Sequence, residues 1–348
     1  MSLRRAAVLV AGSMGTALAS LLADNEYDVT VWTRKEEQAE QMNRERKNRK
    51  YTGDFGLSER ITATASMETA LTGATAVIFA APSHATREVA RLARPFLDSD
   101  AIVIHATKGF EPETMKRMTK VLAEELTQID PGRLVVMSGP CHAEELIQRS
   151  PTTVVVAADQ LEAAQRAQDV LISPYFRVYT NPDVTGVELG GALKNIIALG
   201  AGMSDGLGFG DNAKAALLTR GLAEIARLGV ALGGNALTFA GLAGVGDLVV
   251  TCTSKHSRNW RAGYMLGQGK PLHEVLETMG MVVEGVKTTK ATYSLSQQYE
   301  VSMPITEQLH EVLFAGVEPQ IAVGRLMGRL RTHEIEDIAL ESAEKWTL

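Results

Sequence analysis

Short β-branched runs alternate with helical patterns through the first half of the chain, and this alternation restricts the possible folds more than any other feature. The runs that predict strands are residues 6–10, 28–32, 76–81, 101–105, 134–137 and 153–156. Amphipathic segments between them predict helices at residues 16–23, 85–97 and 112–126, the last with Glu113 near its start, where negative charge suits the helix dipole. This order is typical of βαβ units. The sequence therefore predicts an open α/β fold with a mainly parallel sheet.

The strand signal fades after Pro182, and the rest of the chain carries helical spacing. The predicted helices are residues 187–200, 212–232, 257–266, 272–279, 286–298, 305–313 and 319–327. In the second of these, leucines and Ile225 repeat along one face, and Asp211 is placed to cap the start; such a stripe is more typical of core packing than of a cofactor surface. Since 348 residues is long for one domain, we expect an α/β domain at residues 1–182 and an all-helical domain at residues 183–348.

The composition is that of a globular protein and argues against some classes of partner. Hydrophobic residues make up 45% of the chain, and the net charge is -6. Proteins that coat nucleic acid or anionic lipid need a surplus of positive charge, so no nucleic-acid partner is expected. The one basic run, residues 44–50, is predicted to be a solvated helix end, although its place after the second predicted strand leaves open a supporting role near a cofactor.

The cysteines and the apolar runs indicate a cytoplasmic protein. Cys141 and Cys252 are far apart and outside any paired-spacing motif, which fits a reducing compartment. The apolar run near the start is too short for a signal peptide, and no charge-free stretch approaches the ~18 residues of a membrane span, so no membrane insertion is expected. Cys252 and His256 form a lone four-residue spacing that is more typical of structure than of coordination. No metal site is predicted.

A glycine turn follows the first predicted strand and leads directly into a helical pattern. Gly12, Ser13, Met14 and Gly15 belong to an incomplete G-x-G-x-x-G pattern, in which Val10 stands at the position of the first glycine. Gly12 allows the backbone to approach a pyrophosphate, Gly15 permits tight packing of helix on sheet, and free amides at the helix start face the phosphates. A plain glycine-rich turn is the alternative, but the βαβ context favours dinucleotide binding.

The end of the second predicted strand indicates which dinucleotide binds. Proteins that prefer NAD often place an acid here to bind the ribose hydroxyls, whereas this chain has Arg34 and Lys35. Both cations suit a 2′-phosphate, so the sequence predicts use of NADP(H), alone or alongside NAD(H). The alternative is that both side chains only solvate the strand end.

A lysine on a glycine-rich helical face is the leading candidate for a reactive group. Gly190, Gly191 and Lys194 recur at three- and four-residue steps, and the glycines are predicted to leave room for a ligand. Asp247 lies between a glycine turn and an apolar run, where an unpaired carboxylate is costly, so it is a candidate partner for a lysine.

A second polar group lies near a predicted helix start. Ser257, Arg258 and Asn259 combine a hydroxyl, a guanidinium and an amide, a chemistry that suits a phosphate dianion. A surface arginine beside a helix cap is an equally good interpretation of these three residues alone.

These motifs together resemble those of the bacterial NAD(P)-dependent glycerol-3-phosphate dehydrogenase family. The similarity runs from about residue 6 to residue 328, and the near-identical segments are residues 107–109, 138–140, 192–198, 205–221, 241–251, 257–259 and 282–285. Three positions depart from the family's pattern: Val10 replaces a glycine, Met14 a frequent aromatic residue and Cys141 a frequent serine or threonine. The resemblance implies a Rossmann-like domain followed by a helical domain, with the active site in the cleft, and it suggests a dimer and a role in lipid-precursor synthesis.

The resemblance also implies particular site residues. Lys194 would be the catalytic acid/base. The residues that would bind dihydroxyacetone phosphate or sn-glycerol 3-phosphate are Lys108, Gly139, Cys141, Lys194, Asn195, Asp247, Thr251, Ser257, Arg258 and Asn259. The residues that would contact the cofactor are Gly12, Ser13, Met14, Gly15, Arg34, Lys35, Lys108, Ala143, Arg258, Val282 and Glu284.

As a base, Lys194 has to titrate near neutrality rather than at the value of about 10.4 of a free lysine. Lys108 and partial desolvation are expected to lower the pKa of Lys194, and Asp247 to oppose them while aiming the ammonium. The nearest rival is another two-domain reductase that acts on a different hydroxy acid or sugar phosphate. A non-catalytic NADPH sensor is the rival from another class, but such a protein has no need of an acid/base lysine.

Overall fold

The structure is a computed structural model that describes residues 4–330. One eight-stranded sheet carries the order β3-β2-β1-β4-β5-β6-β7-β8. Its strands are β1 (Arg5–Leu9), β2 (Asp28–Trp32), β3 (Ile61–Thr64), β4 (Ala76–Phe79), β5 (Ile102–His105), β6 (Leu134–Ser138), β7 (Thr152–Ala157) and β8 (Phe176–Asn181). All neighbouring pairs are parallel except β6 and β7, which are antiparallel. The first six strands follow the Rossmann order, so a crevice opens between β1 and β4, where the strand order reverses.

Helices cover the sheet and form the rest of the described chain. They are α1 (Ser13–Asp24), α2 (Glu36–Glu45), α3 (Arg49–Thr52), α4 (Met67–Leu71), α5 (Thr86–Ala93), α6 (Met118–Glu125), α7 (Ala143–Ile147), α8 (Leu161–Leu171), α9 (Val184–Gly206), α10 (Asp211–Ala231), α11 (Ala236–Phe239), α12 (Asp247–Thr253), α13 (Arg258–Gly267), α14 (Leu272–Met279), α15 (Glu284–Gln298), α16 (Pro304–Phe314) and α17 (Pro319–Met327). Between residues 183 and 330 the structure contains helices and connections only. The expected fold class, a Rossmann-like sheet followed by a helical part, is confirmed.

Two strands were not predicted. β3 pairs only with β2 at one edge of the sheet, and its four residues are too short to separate from a loop pattern. β8 pairs with β7 at the other edge and alternates buried Phe176 and Val178 with exposed Arg177 and Tyr179. That alternation is the period of a half-buried strand, so the signal for β8 was present in the sequence.

Two helices begin at residues other than those expected. The helix predicted from residue 112 begins only at Met118, and Glu113 lies outside it. The preceding segment turns back on itself: Phe110 and Arg117 form a β-bridge, and the Glu111 carboxylate accepts hydrogen bonds from Arg87. Asp211 does not cap α10, since Gly210 occupies the cap position and Asp211 is the first helical residue, where its charge still suits the dipole.

Helix α9 joins the helical part to the sheet. Nearly all of its residues are buried, and it packs against α10, α12, α13 and α15 while also touching β6 and β7. Its first cap is Asp183, whose carboxylate accepts a hydrogen bond from the Gly186 amide at 2.8 Å. Because α9 crosses from the sheet into the helical core, residues in its first half lie at the carboxyl edge of the sheet.

One segment of the described chain, Ala236–Thr253, is long and apolar enough to cross a membrane, with a mean hydropathy of 1.5. This is weak evidence for a span, because core helices pass the same test. Here the segment comprises α11, a π-helical turn at Leu242–Gly246 and α12, and it contains the buried Asp247. Single π-helical turns occur frequently at functional sites.

Val10 adopts a backbone conformation that favours glycine. Its φ is +84°, its amide donates to the Trp32 carbonyl at 2.9 Å, and its carbonyl accepts from the Gly12 amide at 2.9 Å. A β-branched residue at positive φ costs of order 1–3 kcal/mol, and a glycine there loses about 0.5–1 kcal/mol through its greater freedom in the unfolded chain.

We therefore expect Val10→Gly to raise the free energy of unfolding by about 1 kcal/mol, measured by urea denaturation. Ala11→Gly is the control, because Ala11 is buried and has no positive φ, so its replacement is expected to destabilise the fold. If the urea concentration at the midpoint of unfolding is lower for Val10→Gly than for the unmodified protein, the backbone at Val10 is not strained.

Candidate active site

The glycine turn lies at the carboxyl end of β1, beside the crevice. Gly12 precedes α1 in an extended conformation, no side chain caps the helix, and its first turn holds no acidic residue. A Cβ built on Gly12 meets no atom within 4 Å, whereas one on Gly15 would lie 2.1 Å from the Val10 carbonyl oxygen. Open space at Gly12 and close packing at Gly15 are what a dinucleotide turn requires. The uncapped helix start therefore fits a pyrophosphate.

The basic run, residues 44–50, contributes a buried residue that supports this turn. Asn48 donates from its side chain to the Ala11 carbonyl at 3.0 Å and to the Thr16 hydroxyl at 2.8 Å. Gln38 also donates to the Ala11 carbonyl, at 2.9 Å. Ser13 donates its hydroxyl to the Tyr51 carbonyl at 3.0 Å, and the Met14 side chain packs on the core. Arg44, Arg49 and Lys50 are exposed, as expected of a solvated helix end, whereas Asn48 is buried and Arg46 donates to the carbonyls of residues 58 and 61.

Arg34 and Lys35 follow β2 on the exposed surface near the turn. Arg34 Nη1 lies 3.8 Å from Glu88 Oε1, and both side chains are mostly exposed. Such a pair contributes little to stability, because solvent screens it. Because the ion pair with Glu88 is weak, the Arg34 guanidinium is able to pair with an anionic group of a ligand instead.

Two lysines share one buried aspartate at the carboxyl edge of the sheet. Lys108, in the loop after β5, donates to Asp247 Oδ2 at 2.6 Å and to the Gly139 carbonyl at 2.9 Å. Lys194, on α9, is paired with Asp247 Oδ1 and donates to the Thr251 hydroxyl at 2.6 Å. Asp247 and Thr251 lie one turn apart on α12. The residues predicted to form this group from separate motifs therefore meet in space.

The electrostatics of this group follow from burial and from the two like charges. Burial lowers the pKa of Lys194 to about 8; Lys108 acts in the same direction, and Asp247 opposes both. Burial alone raises the pKa of Asp247, but the two ammonium groups outweigh it and lower that pKa below its ordinary value. The pKa of Lys194 is thus lowered, which is the direction expected from the sequence.

The glycines of α9 are packed against protein, so the expectation that they leave room for a ligand is wrong. A Cβ on Gly190 would lie 2.6 Å from the Ala243 carbonyl oxygen, and one on Gly191 would lie 2.6 Å from Ser138 Oγ. The same Gly191 position lies 3.5 Å from Cγ of Lys108. These glycines bring the π-helical turn, the end of β6 and the stem of Lys108 close to α9.

A chain of side-chain amides connects Lys108 to α13 and α15. Asn195 reaches the Lys108 carbonyl at 3.5 Å, and Asn259 donates to Asn195 Oδ1 at 2.8 Å. The Gly285 amide in turn donates to Asn259 Oδ1 at 2.8 Å. Asn195 and Asn259 are both buried. Their amides are therefore fixed in orientation beside the lysines.

The remaining predicted contacts lie at the start of α13 and α15. Ser257 Oγ caps α13 by accepting from the Trp260 amide at 3.2 Å, and Arg258 donates to the Val282 carbonyl at 3.2 Å. Glu284 accepts two hydrogen bonds from Ser83, from the hydroxyl at 2.9 Å and from the amide at 3.3 Å. Ser83 lies in the connection that leaves the carboxyl end of β4, four residues after Phe79, so Glu284 lies at the crevice. Ser83 was missed because nothing in its local sequence marks it.

Cys141, Gly139 and Ala143 follow β6. Burial raises the pKa of the Cys141 thiol to about 12, so it is not an activated nucleophile. Gly139 has φ +121°, and a Cβ there would lie 3.1 Å from Cα of Val154, so glycine is required. Ala143 begins α7 and is buried in the core that covers the sheet. Within residues 4–330, no group of three or more potential metal-binding side chains is present.

The fold and the site together define a class of protein. A Rossmann strand order, a glycine turn with an uncapped helix start at the crevice, and a buried lysine of lowered pKa at the same edge are the parts of a nicotinamide-dependent oxidoreductase.

Comparison with known proteins identifies the family. Residues 5–164 match the NAD-dependent glycerol-3-phosphate dehydrogenase N-terminus, and residues 183–324 match the C-terminus of the same family. The chain is 56% identical over 335 residues to a protein of Bacillus licheniformis named glycerol-3-phosphate dehydrogenase of the NAD(P)+ type, covering 96% of this chain and 97% of the relative. A Bacillus subtilis protein of the same name is 54% identical over 336 residues, covering 97% of each.

A crystal structure of glycerol-3-phosphate dehydrogenase from Coxiella burnetii superposes with a TM-score of 0.89 at 38% identity, over 94% of this chain and 99% of that one. The chain belongs to the NAD-dependent glycerol-3-phosphate dehydrogenase family and is an NAD(P)-dependent oxidoreductase.

Proposed function

We propose that the protein reduces dihydroxyacetone phosphate to sn-glycerol 3-phosphate, reversibly, with Lys194 as the general acid/base. The observation that carries this proposal is the Lys194 amine: it is buried, it is aimed by Asp247 and Thr251, and its pKa is lowered to about 8. A group that both gives and takes a proton near neutral pH works best when its pKa lies close to that pH.

When bound, the nicotinamide supplies or accepts the hydride. The Lys194 ammonium donates its proton to the oxygen on C2 of the substrate during reduction, and the neutral amine takes that proton back during oxidation. Asp247 holds the nitrogen in one position, and Lys108 places a second positive charge beside it, which stabilises negative charge on the substrate oxygen.

Substrate binding in this proposal uses the residues that surround the lysine pair. The set consists of Lys108, Gly139, Cys141, Lys194, Asn195, Asp247, Thr251, Ser257, Arg258 and Asn259. The Arg258 guanidinium at the exposed start of α13, with the hydroxyl and amide next to it, binds the phosphate. Binding energy at the phosphate then aligns the carbonyl carbon with the cofactor.

The cofactor lies in the crevice between β1 and β4. Its contacts come from the glycine turn, from the end of β2, from the loop after β5 and from the starts of α7, α13 and α15. They are Gly12, Ser13, Met14, Gly15, Arg34, Lys35, Lys108, Ala143, Arg258, Val282 and Glu284. Arg34 and Lys35 attract a 2′-phosphate, so NADPH is preferred to NADH.

We expect Arg34→Ala to lower kcat/KM for NADPH by about 10- to 100-fold and to change kcat/KM for NADH by less than threefold, because a hydrogen bond to a charged group contributes about 1.5–3 kcal/mol. Steady-state kinetics with both cofactors measure this ratio. Arg44→Ala is the matched control, since Arg44 is also mostly exposed and, like Arg34, lies beside one glutamate, here Glu45. Equal losses with both cofactors argue against a 2′-phosphate contact.

The cellular role follows from the product. We propose that the protein supplies glycerol phosphate for phospholipid synthesis and works in the cytoplasm as a homodimer. We also propose that the boundary between its two domains lies at residue 182, after the end of β8 and before the start of α9. Residues 1–3 and 331–348, which these domain limits include, lie outside the described residues. Sedimentation of the purified protein tests the dimer.

Dihydroxyacetone-phosphate-dependent loss of NADPH absorbance, with chiral analysis of the product, tests the reaction. Parallel assays with other keto acids and sugar phosphates separate it from a related reductase. No substrate-dependent loss with any of these compounds, in a protein that binds NADPH, would indicate a sensor instead.

A further inference from the structure

A buried carboxylate on α9 is not used by the proposed chemistry. Glu188 lies six residues before Lys194, and its side chain is 5% exposed. It pairs with Arg117, accepts a hydrogen bond from the Thr119 amide at 2.8 Å, and lies 3.3 Å from Nε2 of His105. Burial by itself raises the pKa of Glu188, but these neighbours outweigh burial and lower it to about 2. Glu188 is therefore a charged group inside the protein. Burying a charge costs free energy, which only paired and hydrogen-bonded neighbours can offset.

The partners of Glu188 mark the two ends of one loop. His105 is the last residue of β5, and Arg117 and Thr119 lie at the start of α6. Lys108 lies between them, in a segment that closes on itself through the bridge of Phe110 with Arg117. One carboxylate on α9 thus contacts both ends of the loop that carries Lys108.

The next two turns of α9 also contact the middle of this loop. Glu188, Gly191 and Lys194 follow at three-residue steps, about 9 Å from first to last at 1.5 Å per residue. The stem of Lys108 packs over Gly191, and its ammonium shares Asp247 with Lys194. The loop is therefore aligned along α9, with Glu188 at one end and the reactive amine at the other.

We propose that Glu188 is a positioning residue for the reaction: by fixing both ends of the Lys108 loop on α9, it holds the Lys108 ammonium at Asp247, next to Lys194. This proposal rests on the proposed function for its effect on kcat/KM, but its effect on the pKa of Lys194 does not depend on that function. Asp247 from α12 and Lys108 from the loop are the charged groups with the largest effects on Lys194, and the titratable side chains of Cys141 and His142 after β6 and Cys252 on α12 also interact with it electrostatically. If Lys108 is displaced, a cation that repels the Lys194 ammonium is removed, and Asp247 then pairs with Lys194 only. Both changes favour the protonated amine and raise the pKa of Lys194.

The test is a paired substitution, Glu188→Gln with Arg117→Gln, which leaves the local sum of formal charges unchanged. The pKa of the Lys194 amine is measured in the cofactor-free protein from the pH dependence of its acylation rate, followed on the Lys194 peptide by mass spectrometry. We expect it to rise by about one unit, together with an approximately tenfold loss of kcat/KM at neutral pH.

The sign of the shift separates positioning from simple electrostatics. Glu188→Gln alone removes one negative charge, and by that effect alone the pKa of Lys194 falls. Asp24→Asn with Arg149→Gln is the matched control: Asp24 accepts hydrogen bonds from Arg149 at 2.8 and 2.9 Å, and neither residue lies in the Lys108 loop. We expect no change in the titration of Lys194 in this control.

An unchanged or lowered pKa of Lys194 in a folded paired variant overturns the proposal. If the paired variant does not fold, Arg117→Lys keeps the charge without the guanidinium geometry and is expected to shift the titration in the same direction by a smaller amount; no shift there also overturns it. The amine titration needs no turnover. A failure of Lys194 as the acid/base therefore does not change this result, and the two hypotheses fail separately.

Discussion

Replacing Lys194 with methionine is expected to lower kcat for dihydroxyacetone phosphate reduction by about 10³-fold, with little change in the affinity for the cofactor. Methionine keeps most of the length and apolar stem of lysine but carries no proton, so the substrate oxygen has no donor in the transition state. The loss falls on kcat rather than on cofactor binding, because the glycine turn that we propose binds the pyrophosphate is formed by a different part of the chain.

The measurement is steady-state kinetics at several pH values, with cofactor affinity from fluorescence titration. Lys214→Met is the matched control: Lys214 is a lysine on the neighbouring helix α10 that pairs with Asp205 at 2.9 Å, outside the site. A Lys194→Met variant that retains more than a tenth of the turnover would falsify the acid/base assignment.

Asp247→Asn is expected to produce the second large effect, a loss of about 10²-fold in kcat/KM at pH 8 together with a shift in the pH profile. Asp247 favours the protonated form of Lys194, so its neutral replacement lowers the pKa of Lys194 below about 8. Above the new pKa the amine is neutral and cannot donate, so the descending limb for reduction moves to lower pH. The ascending limb for oxidation, which requires the neutral amine, moves in the same direction.

The variant also affects stability, because Lys108 and Lys194 are left near each other without their shared counter-ion. Loss of one partner of a buried ion pair costs about 3–5 kcal/mol. Since deprotonation of Lys194 relieves the repulsion, the loss is expected to be largest at low pH and smaller above the new pKa. Asp205→Asn on the Lys214 pair is the control for both readouts. Limbs that stay in place, or that move to higher pH, rule out the proposed role of Asp247.

Much of the fold was predictable because its signals are local. The β-branched runs of β1, β2, β4, β5, β6 and β7 lie within a few residues of the predicted positions, and the long helices of the second half do as well. Helix α12 was not predicted: the π-helical turn before it contains two glycines in the pattern Leu-Ala-Gly-Val-Gly, which is typical of a loop. That turn is held in a helical form by its packing on Gly190 of α9.

The site was predictable in part. Lys194, Asp247 and Lys108 were each selected, and the lysine–aspartate pairing was expected because a carboxylate in an apolar setting needs a partner. Gly190 and Gly191 were assigned the wrong reason, since the space beside them is filled by the π-helical turn and by Ser138. Ser83 and Glu188 received no role, because the partners of each side chain lie 69 or more residues away in the sequence.

By itself, the sequence determined most of the strands, the long helices, the position of the glycine turn and the family, because hydrophobic period, glycine and charge act over a few residues and can be read along the chain. Tertiary structure alone decided which charges meet. Lys108 and Lys194 come from different parts of the fold and share Asp247 only after α9 has packed across the edge of the sheet. The lowered pKa of Lys194 depends on that burial and on that second cation, and neither exists until the chain is folded.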